Sequence, residues 1–393
     1  MSAERQAGLP QSLLLLLGSC LPVLGAVLLA PVLPRMQAHF VDTPGATVLV
    51  PIALTLPALV IALVAPFAGL IADRVGRKPL LLWAMVLYSL CGLLPLWLDS
   101  LTAIVASRAG IGLAEAAIMT GCTTLMGDYY SGARRERLFA LQMVATSLSA
   151  AVFMAIGGAL GENGWRTPFA LYAVGLLFLP LMAKLLWEPS AHANANAGLS
   201  TNRFPLKRLA PLYLLTVLAG ISLFIVPVQA GFLLNLLHVD APQQIGMTMG
   251  ANQLGVLAGA LGFRVLSGLS APKQLLLAFV LASAGGLLMG LAGNHALVVV
   301  AVLVNGLGIG LMLPTLITAI MSYVDFEHRG RAAGGFTAAI FAGEFISPLV
   351  VLAITAGDTT QLPTALIAVA AVQLLVALLC LGLRQQPSLA LAR

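Results

Sequence analysis

Three ionisable residues of this chain lie where almost nothing around them is polar. Arg108 and Glu115 fall within Arg108-Ala109-Gly110-Ile111-Gly112-Leu113-Ala114-Glu115, and Glu344 within Phe341-Ala342-Gly343-Glu344-Phe345. Spacings of four and three place Arg108, Gly112 and Glu115 on one face of a helix. A carboxyl group in such surroundings can take up and release a proton. Burial and a nearby cation act on its proton affinity in opposite senses. The alternative for this trio is a structural Arg–Glu pair that fixes helix packing. Arg108 stands two turns from Glu115, roughly 10 Å at 1.5 Å per residue, too far for direct contact along a straight helix. Glu344 can hold a cationic group of a ligand or share the same proton, or it can be a neutral carboxyl bonded to a neighbour.

The elements that must position these groups are membrane-spanning helices. Of 393 residues, 60% are hydrophobic and 9% charged, against about 25% charged in an average soluble domain; the mean hydropathy is +1.00. The apolar runs are continuous and close to the roughly 20 residues that cross a bilayer as a helix. They do not alternate as the strands of a barrel do. Twelve spans are predicted, near 12–34, 48–72, 80–98, 101–126, 138–161, 168–187, 209–237, 245–269, 274–291, 297–323, 332–355 and 362–383. The first apolar run, 13–33, exceeds the roughly 7–15 residues of a leader peptide core, so it is expected to be the first span. Residues 188–208 are the most polar stretch and read as a linker between halves 1–187 and 209–393. Glu115 lies roughly 21 Å along its span, counted from Leu101, deep in the hydrocarbon. An intramembrane acid normally faces a cavity or a partner.

The net charge of +6 and a pI near 9.4 follow from topology. With both termini inside, all of the 20 Lys and Arg residues except Arg35, Arg108 and Arg166 fall on the cytoplasmic side, where such residues are retained. No nucleic-acid partner is needed to explain the basic balance. The four cysteines lie inside apolar runs and the five histidines lack metal-ligand spacing, so neither a disulfide framework nor a metal site is expected.

Between spans 2 and 3 stands Gly69-Leu70-Ile71-Ala72-Asp73-Arg74-Val75-Gly76-Arg77-Lys78-Pro79. A glycine such as Gly69 lets a neighbouring helix approach closely, and Gly76 accommodates a tight turn. Asp73 can accept hydrogen bonds at a helix N-terminus. This pattern of a glycine, then Asp-Arg and Gly-Arg-Lys between two apolar helices, resembles the signature loop of the major facilitator superfamily of membrane transporters. In that family the Asp meets the start of helix 11, and the basic residues meet an acid at the cytoplasmic end of helix 4. The resemblance implies a gating role for Gly69, Asp73, Arg74, Gly76 and Arg77, and makes Asp128 the helix-4 acid. Lys78 is explained as well by topology alone.

An internal repeat agrees with the duplicated six-helix halves of that family. Gly110-Ile111-Gly112-Leu113 recurs as Gly308-Ile309-Gly310-Leu311, Asp128-Tyr129 as Asp325-Phe326, and Arg135-Glu136-Arg137 as Arg329-Gly330-Arg331. In the second half the charged loop decays to 259–264, where the acid is lost. The expected architecture is an all-α membrane protein, twelve transmembrane helices in two pseudo-symmetric six-helix bundles with both termini cytoplasmic.

Within the superfamily, Leu24-Gly25 followed by Pro31-Val32-Leu33-Pro34 is similar to the first-helix signature of the twelve-helix drug:proton antiporter branch. Arg108 with Gly112 is similar to the fourth-helix signature associated with proton transfer there. One departure stands in span 5. Gly157-Gly158 is present, but Phe153-Met154 occupies the place where antiporters of this family carry Gly-Pro. Of the polar residues at depth (Gln142, Gln229, Asn252, Gln253, Asn305), most are expected to bridge helices. Gln229 and Asn305 are the candidates for substrate contact, because helices 7 and 10 line the cavity in the resembling fold.

The resemblance implies a secondary active transporter that exports a small organic molecule or drug in exchange for protons, by alternating access. Glu115, Arg108 and Glu344 are its proton-coupling candidates. The alternatives are proton-coupled uptake of a nutrient or metabolite, and, in another class, a non-transporting membrane sensor or lipid-handling protein. A sensor needs a soluble output domain, for which no segment is long enough. The chain carries no phosphate-binding loop or nucleophile elbow, so an enzyme is not expected. A proton gradient is the expected energy source, with no cofactor. The expected partners are a small-molecule substrate and the lipid bilayer, the expected state a monomer. The expected location is the plasma membrane, which is the inner membrane in a Gram-negative bacterium.

Overall fold

The computed structural model describes residues 7–189, 204–325 and 328–381. Among them the chain is helical throughout, and it divides into two compact units, Met1–Gly198 and Leu199–Arg393. The first unit contains α1 (Leu9–Gly18), α2 (Leu21–Val27), α3 (Leu33–His39), α4 (Ala46–Val75), α5 (Arg77–Leu93), α6 (Leu101–Tyr129), α7 (Gly132–Gly161) and α8 (Val174–Leu185). A 3-10 stretch, Thr167–Ala173, leads into α8. The second unit contains α9 (Leu206–Leu236), α10 (Pro242–Val265), α11 (Ala271–Gly290), α12 (His295–Ser322), α13 (Arg329–Thr355) and α14 (Leu362–Leu381).

With α1 to α3 counted as a single span, 11 stretches among the described residues are long and apolar enough to cross a membrane. α10 completes the twelve predicted spans as a helix of 24 residues. Gln243, Gln244, Asn252, Gln253 and Arg264 lower its hydropathy. Of the predicted linker, residues 190–203 lie outside the described residues, while α9 already begins at Leu206.

The first span differs from the prediction of one continuous helix. It is divided into α1, α2, a 3-10 turn at Ala30–Val32, and α3. Pro22, Pro31 and Pro34 each stand in the opening turn of a new segment. A proline brings no N–H to the helix ladder, and its fixed φ suits a helix start. Span 5 behaves in the opposite way. Without the Gly-Pro pair, α7 runs unbroken over 30 residues. It also begins at Gly132 and not near 138, which takes Arg134, Arg135 and Arg137 into its first turns.

The sequence repeat has a packing counterpart. In α6, Gly110 faces Cys91 of α5 and Gly112 faces the Pro57 carbonyl of α4. In α12, Gly308 faces the Ala278 carbonyl of α11 and Gly310 faces the Val256 carbonyl of α10. Each Gly-x-Gly thus wedges one helix between the two that precede it in its own unit. On the α10 side, Gly255 and Gly259 face the carbonyls of Leu303 and Leu307. Gly220 of α9 and Gly343 of α13 bring that pair together in the same way. Between helices in lipid no water is expelled, so close van der Waals approach through small residues drives association. Apolar packing fills the rest: Leu275 and Phe279 of α11 cluster with Ile309, Met312 and Leu316 of α12.

The turn between α4 and α5 is a single residue, Gly76, with φ of 92° and ψ of 143°. Only glycine adopts this backbone region at little cost. Gly69 lies on an exposed part of α4, and among the described residues a Cβ added there meets nothing within 4 Å.

Two mutational contrasts follow, each read from thermal unfolding in detergent. Gly310→Ala pushes a methyl group into the Val256 carbonyl and is expected to cost about 1–3 kcal/mol by overpacking. Gly262→Ala, where a Cβ meets open space, is expected to be neutral or to gain up to about 1 kcal/mol of helix propensity. Equal effects at the two sites would reject the packing account. Gly76→Ala is expected to cost about 1–3 kcal/mol of backbone strain, and Gly69→Ala nothing. A folded Gly69→Ala protein that fails to transport would show that a neighbour meets this position in another conformation.

Candidate functional site

The centre of the first unit is the break in its first span. At the end of α2 the Leu28 N–H bonds to the Leu24 carbonyl, and the Val32 N–H to that of Leu29. The Gly25 carbonyl receives a side chain instead. Arg108 Nη2 donates to it at 2.7 Å, and the Tyr172 hydroxyl at 3.4 Å. Arg108 is fully buried and spends its other donors on Tyr172, through Nη1 at 2.6 Å, and on the Ala53 carbonyl of α4, through Nε at 3.0 Å. The guanidinium also lies 5.4 Å from the centre of the Tyr172 ring. A turn earlier, the Tyr88 hydroxyl donates to the Leu21 carbonyl at 2.8 Å. The planar fork of an arginine suits such a set of fixed acceptors.

Glu115 sits on the same glycine. It is 1% exposed, and its carboxyl group occupies the space where a side chain on residue 25 would begin. Its Oε1 is buried without a hydrogen-bond partner among the described residues. Arg108 and Glu115 therefore converge on Gly25 from one face of α6. The hydrogen bonds found for Arg108 end on uncharged oxygens, two carbonyls and a hydroxyl. Gly112, between them in sequence, turns to Pro57 and Val60 of α4.

Sequence reasoning missed the tyrosines and the function of Gly25. Tyr88 and Tyr172 read as ordinary aromatics in apolar runs. Gly25 entered only as one letter of a pattern, although its position between Pro22 and Pro31 was the available clue.

Glu344 lies in the second unit, buried on α13 beside Gly343, where α13 meets Val217 and Gly220 of α9. Gln229 is buried on α9, two residues after Pro227. Asn305 is engaged with other helices. Its Nδ2 donates to the Ala282 carbonyl of α11 at 3.1 Å, and its Oδ1 faces Nδ2 of Asn252 on α10 at 3.5 Å. Asn252 in turn donates to the Val302 carbonyl at 2.8 Å. Gln142 of α7 bridges likewise to Ser19 at 2.9 Å and to Thr123 at 3.2 Å.

The charged turn brings three of its candidates together. Arg77 forms an ion pair with Asp128 at the end of α6 and a longer one, 3.4 Å, with Asp73. The Asp73 side chain is 65% exposed, and Arg74 is exposed too. Pairs this open to solvent contribute about 0–1 kcal/mol to stability, so their value lies in orientation. Near the other end of α6, Arg166 pairs with Asp99 at 2.6 Å, and Arg35 pairs with Glu162 at 3.4 Å. Among the described residues no cluster of acids, histidines and cysteines is arranged to hold a metal ion, and all four cysteines are free.

Several known proteins are similar to this chain. The chain is 26% identical over 375 residues to a class C tetracycline resistance protein of Escherichia coli, covering 89% of this chain and 91% of that protein. It is 24% identical to the multidrug efflux protein YfmO of Bacillus subtilis, over 83% of this chain and 81% of that one. A class H tetracycline resistance protein of Pasteurella multocida is 28% identical over 49% of this chain, which spans about half (47%) of that relative's length. Among solved structures, a bacterial homologue of the human lysosomal transporter Spinster superposes with a TM-score of 0.77 at 14% identity, over 97% of this chain and 100% of that one. A D-xylose–proton symporter gives 0.75 at 16% identity, over 94% and 96%. Both likenesses show the shared fold. The sequence profile of the Major Facilitator Superfamily matches residues 15–238 and 212–392, and this multi-pass membrane protein, a transporter and not an enzyme, belongs to that family.

Proposed function

We propose that this transporter exports a small organic molecule in exchange for protons, by alternating access of its two halves, with Glu115 as the proton carrier. The observation that supports this reading is the unpartnered Oε1 of Glu115, a buried carboxyl oxygen at a break in a membrane helix. Unsatisfied polar groups at such depth are costly and persist where function requires them. Tetracycline resistance and multidrug efflux are the activities named for the relatives, and they favour export. Glu344, buried in the second unit, is the second proton-coupling candidate. Gln229 remains a substrate-contact candidate, whereas Asn305 spends its amide on neighbouring helices. The charged turn of Asp73, Arg74, Gly76 and Arg77, with Asp128, is the gate. Both termini face the cytoplasm of a monomer in the plasma membrane, in line with the placement of Lys and Arg. The proton gradient drives the cycle without a cofactor.

The uninterrupted α7 favours a second reading, proton-coupled uptake. Growth and accumulation assays separate the two. Expression in a strain stripped of its own exporters is expected to lower intracellular tetracycline or ethidium. Raised accumulation of a panel metabolite, with no resistance to any toxic compound tested, would establish uptake.

Glu115→Gln is expected to abolish transport driven by a pH gradient in vesicles, while counterflow exchange without a gradient partly survives. The amide keeps the shape of the side chain and removes the titration. Wild-type proton flux on substrate addition, in vesicles of the folded variant, would transfer the role to Glu344. Arg108 is read as a brace for the helix break, so Arg108→Lys is expected to reduce the yield of folded protein sharply. An ammonium is a point charge and does not reproduce the guanidinium fork, and breaking a buried charged network typically costs about 3–5 kcal/mol. A folded Arg108→Lys protein with a shifted pH optimum would instead make Arg108 a direct partner in proton transfer.

A further inference from the structure

The first turn of α5 cannot satisfy its own donors, and the chain supplies an acceptor 110 residues away. A helix N-terminus exposes N–H groups that need partners from elsewhere, and Gly76, the residue before α5, has no side chain to offer. The accounting is complete here. The Gly76 N–H bonds to the Ala72 carbonyl, and the Leu80 N–H returns to that of Gly76. Pro79 has none. The two left over are those of Arg77 and Lys78, and both donate to one carboxylate, Glu188: Arg77 to Oε1 at 2.8 Å and Lys78 to Oε2 at 2.8 Å. A negative group at this end of a helix is also favoured by the helix dipole. In the sequence Glu188 is the first residue of the expected linker.

The residue before it holds the other side of the same ion pair. Trp187 donates its N–H to the Tyr129 hydroxyl at 2.8 Å and accepts from it, at its carbonyl, at 2.5 Å. The two rings stack with centroids 4.4 Å apart. Tyr129 directly follows Asp128, the partner of Arg77. Lys78 adds a third tie, from Nζ to the Ala183 carbonyl near the end of α8 at 2.8 Å.

We propose that Trp187 and Glu188 form a clamp that positions the Arg77–Asp128 ion pair. Glu188 fixes the backbone from which Arg77 reaches, and Trp187 fixes the end of α6 that carries Asp128. The segment that leaves α8 toward the second unit and the charged turn after α4 then move as one body. Displacing that segment pulls the pair apart, and breaking the pair loosens the segment. Glu188 acts through Arg77 and touches no substrate, so the proposal holds whichever molecule is transported and whichever acid carries the proton.

The test uses the full chain in lipid nanodiscs. Glu188→Gln preserves the shape of the side chain but leaves one acceptor oxygen and sets an amide N–H₂ against an N–H donor. Hydrogen exchange at the Arg77 and Lys78 amides is expected to quicken by about tenfold or more, the loss of one charge-assisted hydrogen bond, with the amides beyond Leu80 unchanged. The positioning role is read from a double-mutant cycle. Thermal midpoint losses for Glu188→Gln and Asp128→Asn are expected to be less than additive, because each removes what the other depends on. A purely local helix cap would give strictly additive losses, which overturns the proposal. Unchanged exchange at residues 77 and 78 overturns it as well. Should Glu188→Gln not yield folded protein, Glu188→Asp, with its charge kept and its reach shortened, is read against the same two outcomes.

Discussion

A carbonyl oxygen that its own helix leaves without a ladder partner governs the organisation of the first unit. The prolines of the first span divide it into segments, and in a bilayer no water waits to bond the groups so released. The guanidinium of Arg108 takes the Gly25 oxygen, Tyr172 shares it, and Tyr88 takes that of Leu21. A buried cation is costly on its own. Its cost is offset here because the fork bonds to three oxygens held by α2, α4 and the turn before α8. The same glycine then leaves room for the carboxyl group of Glu115. The kink and the acid are therefore linked at one residue: the bend needs the arginine, and the acid needs the missing side chain.

Much of this was legible in the sequence, and what was not has a common cause. Continuous apolar runs of bilayer length give the helices, since length and hydropathy alone decide them. The Gly-x-Gly repeat marks equivalent wedges in the two units because only backbone fits there. Glu115 and Arg108 stand out because charge in an apolar run is rare, and Asp128 because the family pattern points to it. What the sequence hid are relations between distant residues that carry ordinary letters. Tyr172 is one aromatic among many until its hydroxyl meets Arg108. Glu188 reads as the polar start of a linker until two N–H groups of α5 need an acceptor. Asn305 shows the converse. It stands on a helix that the family pattern marks, yet its side chain is bound to α10 and α11.

The two units share a skeleton but not a chemistry. Where the first places a charged pair on its fourth span, the second sets amides among glycines, with Asn252 and Asn305 linking α10, α11 and α12 through neutral hydrogen bonds. Neutral bridges of this kind, each worth about 0.6–2 kcal/mol in a membrane, hold helices together without offering a titratable group. The asymmetry is in line with the proposal that the first half carries the proton on Glu115 while the second is the firmer counterpart, with Glu344 as the second candidate.

The glycine ladder between α10 and α12 bears on how such a firm half is able to move. Gly255 and Gly259 lie against one carbonyl row, and Gly306 and Gly310 against the other. Sliding either helix by a turn would bring the side chain of Val302 or Pro314 over backbone that now meets only glycine. The pairing thus has a single register, like a key cut for one depth. Shear between these two helices would set side chains against that backbone, so the pair is expected to keep its register and turn as a unit when this half rearranges.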